Sequence, residues 1–258
     1  VVRFRYSTTS KDDALGGHVQ NVSALPAAPL RLGYGRVRLL WDDADAPRWK
    51  LLASGVDAKP VKKGGLTELS FAVPLAKQPE MPADAPTRFT HPPLFELSTF
   101  ASWADVSKTM APLYATDGLI ADGSPLAGEL AKLKALPGSP KEKAAAALQL
   151  VQDHVRYLMV GMNGGNYVPQ KPAETWTLRY GDCKAKTLLL LSLLRGLGIE
   201  AEPVLASSTL GDSVPERLPT AAAFDHVLVR AVIDGQSYWL HGTGPVSYTH
   251  LTLPTERI

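Results

Sequence analysis

The hydrophobic pattern of the chain changes period part-way along it. From Val1 to about Lys77, apolar residues come in short alternating runs such as Val37-Arg38-Leu39-Leu40-Trp41 and Leu66-Thr67-Glu68-Leu69-Ser70-Phe71-Ala72-Val73, separated by the turn clusters Gly16-Gly17, Asp42-Asp43 and Gly64-Gly65. Runs of that period bounded by Gly and Asp predict an antiparallel, β-sandwich-like module. Pro79, Pro82, Pro86, Pro92 and Pro93 follow and hold the chain extended, as a linker. Beyond them the period becomes helical. Ser102 with Asp105 starts a helix whose stripe is Trp103, Val106, Met110 and Leu113. Ser139-Pro140-Lys141-Glu142 starts another, a capping box with proline at the first helical position. Its stripe of Ala144, Leu148, Val151, Val155 and Leu158 runs to about Met159, and His154 near that face reads as a packed or surface histidine.

The strongest apolar signal is the run Leu188-Leu189-Leu190-Leu191-Ser192-Leu193-Leu194. Leucines on every side of a helix mark a buried rod, and Gly196 and Gly198 stand where a left-handed cap ends one. The polar turn Tyr180-Gly181-Asp182-Cys183-Lys184 precedes it, so the single cysteine falls in the first helical turn. There the unpaired N–H groups and the macrodipole favour thiolate over thiol, and Lys184 and Lys186 add positive charge if they fold back. The plainer reading, a small buried hydrophobe, suits a cysteine among the leucines better than one in a Gly-Asp-Cys-Lys turn.

Pro203-Val204-Leu205-Ala206 reads as a strand, and a hairpin comes after it. Phe224 to Ile233 alternates, Asp234-Gly235 is a two-residue type I′ turn, and Gln236 to His241 returns. In that register Ile233 faces Gln236, Leu228 faces His241 and His226 faces Thr243. His226 and His241 are then a diagonal pair on one side of the sheet, about 7–8 Å apart at the backbone. A thiol on a helix N-terminus with a histidine on a following strand is the dyad of cysteine acyl transfer, in which the base takes the thiol proton and returns it to the leaving amine.

Composition narrows the classes without choosing among them. The 258 residues carry 27 Lys+Arg against 25 Asp+Glu, a near balance that offers no nucleic-acid footprint. No apolar run is long enough to span a membrane. One cysteine excludes an internal disulfide. Gly161-Met162-Asn163-Gly164-Gly165-Asn166-Tyr167 lacks the ending of a phosphate loop and reads as a flexible loop beside the thiol. Asp42, Asp43 and Asp45 read as a solvated turn. No cofactor is called for, and no oligomeric state is assigned.

Four ordered blocks resemble the bacterial transglutaminase-like superfamily, in proteins where that core follows a DUF3857-type domain: Tyr180-Gly181-Asp182-Cys183-Lys184, Leu193 to Ala201, Phe224-Asp225-His226-Val227 and Tyr238-Trp239-Leu240. The resemblance implies an α+β fold in four parts. These are a β-rich DUF3857-like domain at 1–90, a connecting helical segment at 91–136, a transglutaminase-like, papain-like core at 137–244 that is truncated at its C-terminus, and a foreign tail at 245–258. The tail resembles translated sequencing-adapter DNA, and the true N-terminus is expected to precede Val1. The resemblance further implies Cys183 as nucleophile, His226 as base, a peptide or protein substrate, and a periplasmic or cell-envelope location. At the third catalytic position the family carries Asp and this chain carries His241, which can accept a hydrogen bond from His226 but brings no negative charge.

Three readings stay open on these grounds. One is a cysteine protease, amidase or acyltransferase, with hydrolysis favoured over crosslinking. Another is a catalytically impaired binding or scaffold module. The last is a zinc site of Cys183, His226 and His241. Cys183 N–H, Gln170 and Trp176 are candidates for the oxyanion hole.

Overall fold

The computed structural model describes residues 2–3, 5–9, 11–82, 84–86, 92–159 and 166–244. The expected foreign tail and most of the Gly161–Asn166 loop lie outside the described residues, as does part of the proline linker.

The alternating N-terminal runs form two three-stranded antiparallel sheets. β1 (Gln20–Ala24), β3 (Arg48–Leu52) and β6 (Leu94–Ser98) make one, in the order β1-β6-β3. β2 (Gly35–Asp42), β4 (Val61–Lys63) and β5 (Leu66–Val73) make the other, in the order β2-β5-β4. The inward side chains of the two sheets, Leu69, Phe71 and Val73 on β5 and Phe95 and Leu97 on β6, meet in one apolar cluster. β6 lies beyond the proline linker and escapes a search for alternation because all five of its residues are buried. It is nonetheless the central strand of its sheet.

The helical half is built around α5 (Cys183–Gly196), in which every residue from Cys183 to Leu194 is buried. Each such leucine contributes about 1.5–3 kcal/mol by leaving water. Asp182 caps the helix by accepting from Ala185 N at 3.0 Å. At the other end Gly198 takes the left-handed conformation, φ 77°, while Ile199 N donates back to Leu194 O. Gly196 has a different reason to be glycine, since a Cβ there would come within 2.7 Å of Leu130 Cδ2.

Around α5 pack α3 (Pro140–His154), α4 (Pro172–Leu178) and the antiparallel sheet β11-β10-β9, made of β9 (Glu200–Ala206), β10 (His226–Ile233) and β11 (Gln236–Leu240). α1 (Trp103–Met110) begins at the Ser102 cap, and α2 (Pro125–Ala135) lies against α3. Ser139 and Glu142 form the expected reciprocal capping box of α3. That helix stops at His154, short of the Met159 expected from its stripe. The chain instead runs alongside the turn before Cys183, with β7 (Arg156–Tyr157) parallel to β8 (Tyr180–Gly181). Arg156 N donates to Arg179 O and Leu158 N to Gly181 O, and these bonds replace the next helical turn. The hairpin has the expected register, from Ile233 opposite Gln236 to Val229 opposite Leu240. Asp234 and Gly235 have φ of 51° and 76°, as a type I′ turn requires.

The two halves meet at the segment that leads into β10. Glu96, in the middle of β6, forms a buried ion pair with Arg217 and accepts from Leu218 N at 3.1 Å. Ser98 donates to Pro219 O at 2.6 Å. Gln20 of β1 accepts from Thr220 Oγ1 at 2.7 Å and Ala221 N at 2.9 Å, and donates to Tyr167 Oη at 2.6 Å.

Candidate active site

Cys183 is placed by the Asp182 cap, and the packing of α5 under β10 brings its sulfur to the strand that begins at His226. The main chain of Val227 and of Lys184 lies near enough to the thiol to favour its ionised form. The thiol thus lies on the helix that packs against the strand beginning at His226. Across the hairpin, His226 Nε2 and His241 Nε2 lie 2.6 Å apart with their rings nearly perpendicular, at 82°. Gln152 of α3 holds the His241 carbonyl at 2.9 Å, and Thr243 Oγ1 stands 2.8 Å from His241 Nε2.

Two imidazole nitrogens at that distance share one proton, so one donates and the other accepts. With the proton on His226 Nε2, His241 accepts at Nε2 and carries its own proton on Nδ1. His226 Nδ1 is then left with a lone pair, the form a base needs. Burial first pushes the His226 ring below its ordinary 6.5, His241 adds to this, and Asp225 opposes it. Burial also lowers His241, with the charge of Lys186 as a second cause. Asp225 does not replace a missing third member, because its carboxylate is taken by Ser208 N and Oγ, both at 2.7 Å.

The thiol differs from the sequence expectation. Burial pushes Cys183 above its ordinary value; Lys184 pulls it down and Asp182 pushes it up. The two lysines do not converge on the sulfur as free charges. Lys184 Nζ is 2.5 Å from Asp182 Oδ2, and Lys186 Nζ donates to Val155 O beneath the site. Desolvation lowers Lys186 to about 8. The zinc reading is corrected as well. The two Nε2 atoms face each other, and among the described residues no group of three or more His, Cys, Asp or Glu is placed to hold a metal ion.

Of the oxyanion candidates, Gln170 lies closest to the cysteine turn: a Cβ on Gly181 would stand 3.7 Å from Gln170 Oε1, which accepts from Thr175 Oγ1 at 2.9 Å. Trp176 is otherwise engaged, its ring between Arg179 at 3.7 Å and His154 at 5.8 Å. Two tyrosines at the site had no sequence signal. Burial first, then the charges of Cys183 and Asp182, hold the phenols of Tyr157 and Tyr114 above their ordinary range. Tyr114 Oη is buried with no hydrogen-bond partner among the described residues.

The family model of the transglutaminase-like superfamily matches residues 130–241, the stretch that holds Cys183, His226 and His241. Residues 130–241 form a transglutaminase-like superfamily domain. The fold of the larger chain is similar to that of a candidate protease from Parabacteroides distasonis, at 16% identity and a TM-score of 0.68. That likeness covers 87% of this chain and 43% of the other, so the chain spans less than half the length of that relative. A candidate cysteine protease from Cytophaga hutchinsonii matches at 11% identity and TM-score 0.38, over 88% of this chain and 75% of that one. A TGase matches at 13% identity and TM-score 0.34, over 91% and 58%. No curated protein matches the chain in sequence. The transglutaminase-like domain and the sheets that precede it make an α+β protein. Among its described residues, no helix is long and apolar enough to cross a membrane.

Proposed function

We propose that the protein is a cysteine acyl-transfer enzyme that hydrolyses peptide or amide bonds, with Cys183 as nucleophile, His226 as base and His241 as the group that orients His226. The observation that carries this reading is the 2.6 Å contact between the two imidazoles, at the start of the strand against which the Cys183 helix packs. Because His226 commits Nε2 to His241, Nδ1 takes the thiol proton as sulfur attacks the carbonyl carbon. The carbonyl π pair moves to oxygen, where Cys183 N–H, free at a helix start, and Gln170 are the candidate donors. Collapse of this adduct breaks the C–N bond, and His226 delivers the proton to the leaving amine. Water then attacks the thioester carbon and gives one proton to Nδ1; the C–S bond breaks, Nδ1 returns that proton to sulfur, and the acid product loses its remaining proton to solvent. The sheets ahead of this domain are proposed to be the DUF3857-like partner domain, whose β6 holds Arg217 to Pro219 and whose β1 holds Thr220 and Ala221.

Incubation with a mixed peptide pool, read by mass spectrometry, tests the proposal. Cleavage by the protein and none by Cys183→Ala supports it; identical pools from both contradict it. The second reading, a binding module without turnover, draws on His241 in a carboxylate position and on the raised thiol. It is favoured if both proteins retain peptides and neither cleaves them.

A further inference from the structure

A cavity of about 510 Å³ lies between α1 and the free edge of β9, beside the segment that leads to His226. Trp103, Val106 and Met110 form one wall, Pro203 and Leu205 the other, and Phe224 closes the end two residues before His226. Trp103 and Phe224 meet edge to face at 5.7 Å, so the end wall is rigid and aromatic.

The β9 wall is more than an apolar surface. In a two-residue hairpin the residues flanking the turn exchange hydrogen bonds, so Ile233, Ala231 and Val229 bond to β11 and the alternate residues Val232, Arg230 and Leu228 bond to β9. Their partners on β9 are Glu200, Glu202 and Val204, which leaves the main-chain groups of Ala201, Pro203 and Leu205 facing away from the sheet. Two observations agree with this parity. Arg195 Nε donates to Ala201 O at 3.0 Å from outside the sheet, and the proline occupies a position where no N–H is needed for the ladder. Pro203 C=O and the N–H and C=O of Leu205 therefore face the cavity as strand-edge groups, which an extended backbone can pair with.

The cavity lies one strand away from the reacting groups. Leu205 stands opposite Val227, the residue after His226, and Phe224 in the cavity wall is two residues before His226.

We propose that this cavity is the side-chain subsite of an extended peptide that adds to the β9 edge, and that it selects a large apolar residue, Phe or Leu in class. This deepens the functional reading above and rests on it for the peptide's role as acyl donor. Backbone pairing with Leu205 fixes the peptide's direction, and its side chain enters between Trp103 and Leu205.

The test uses Cys183→Ala protein, in which binding is measured apart from turnover. Two fluorescein-labelled hexapeptides that differ only in a central Phe or Ser are titrated by anisotropy, together with a third in which the amide of the Phe residue is N-methylated. The Phe peptide is expected to bind at least about 10-fold more tightly than the Ser peptide, the scale for filling an apolar pocket. N-methylation is expected to remove most of that affinity. Ser107→Trp places an indole at the cavity mouth from an exposed position on α1, and is expected to abolish the Phe preference. Equal affinities for Phe and Ser, or a preference untouched by Ser107→Trp, overturn the subsite. Indifference to N-methylation, or free indole competing as well as the Phe peptide, makes this a small-molecule pocket and overturns the edge-pairing proposal. A Phe preference in a protein whose Cys183 form cleaves nothing leaves the subsite standing and removes the enzyme reading alone. Cleavage with no side-chain preference does the reverse.

Discussion

Arg217→Met tests how far the N-terminal sheets hold the catalytic segment in place. Glu96 and Arg217 are nearly fully buried, at 0% and 7% exposure, and form an ion pair. Methionine keeps most of the apolar stem of Arg217 and removes its charge. Glu96 is left inside the protein with Leu218 N, at 3.1 Å, as its remaining donor among the described residues. An uncompensated buried charge costs about 3–5 kcal/mol. At about 2–4 °C per kcal/mol for a chain near this size, the Tm should fall by roughly 6–20 °C. Differential scanning calorimetry at pH 7 measures this, with far-UV circular dichroism to confirm that the fold is retained below the transition. Glu96→Leu with Arg217→Met removes both charges and should recover most of the loss, because the pair's own desolvation cost goes with it. A single variant within 1 °C of the parent, or a double variant as unstable as the single, would refute the reasoning.

Further outcomes follow from the site and the caps. Ser139→Ala breaks the capping box of α3 and should cost about 0.5–2 kcal/mol in urea denaturation, while Ser139→Asp should cost less. Burial holds His226 and His241 below their ordinary 6.5, so the unfolded chain binds more protons there than the native protein. Stability should therefore decline as pH falls below about 6.5, and replacing both with Gln should flatten that decline in denaturant titrations at pH 5 and 7. Lys186→Met removes the cation that opposes protonation of His241, so the His241 pKa read from imidazole proton shifts should rise; no change would separate the two groups.

Much of this arrangement is legible in the residues. The leucine run, the Asp182 cap and the Asp-Gly turn each act through local chemistry, so α5 and the hairpin register follow from sequence alone. The register in turn brings His226 to His241. What stayed hidden depends on distant packing. β6 has no alternation because both of its faces are covered. The end of α3 is decided by hydrogen bonds from the turn ahead of Cys183, and these carry Tyr157 to the site. The thiol's environment reversed for the same reason. A helix N-terminus favours thiolate locally, but β10 and the rest of the core cover Cys183, and Asp182 takes the nearest ammonium. Lys184 and Lys186 read as positive charge for the thiol if they fold back, whereas both are buried and engaged by Asp182 and Val155.

The most direct test of Cys183, His226 and His241 as one acid–base unit is the rate of iodoacetamide alkylation of Cys183 between pH 5 and 10. It is measured in the parent, His241→Asp, His226→Ala and the double variant. The parent rate should follow a thiol that ionises above its ordinary 9.0. His241→Asp should move the midpoint down and raise the rate at pH 7, because a carboxylate stabilises the His226 imidazolium that pairs with thiolate. In the His226→Ala background the same substitution should have no such effect. An acceleration of equal size with and without His226, or no response to His241→Asp at all, would contradict the account.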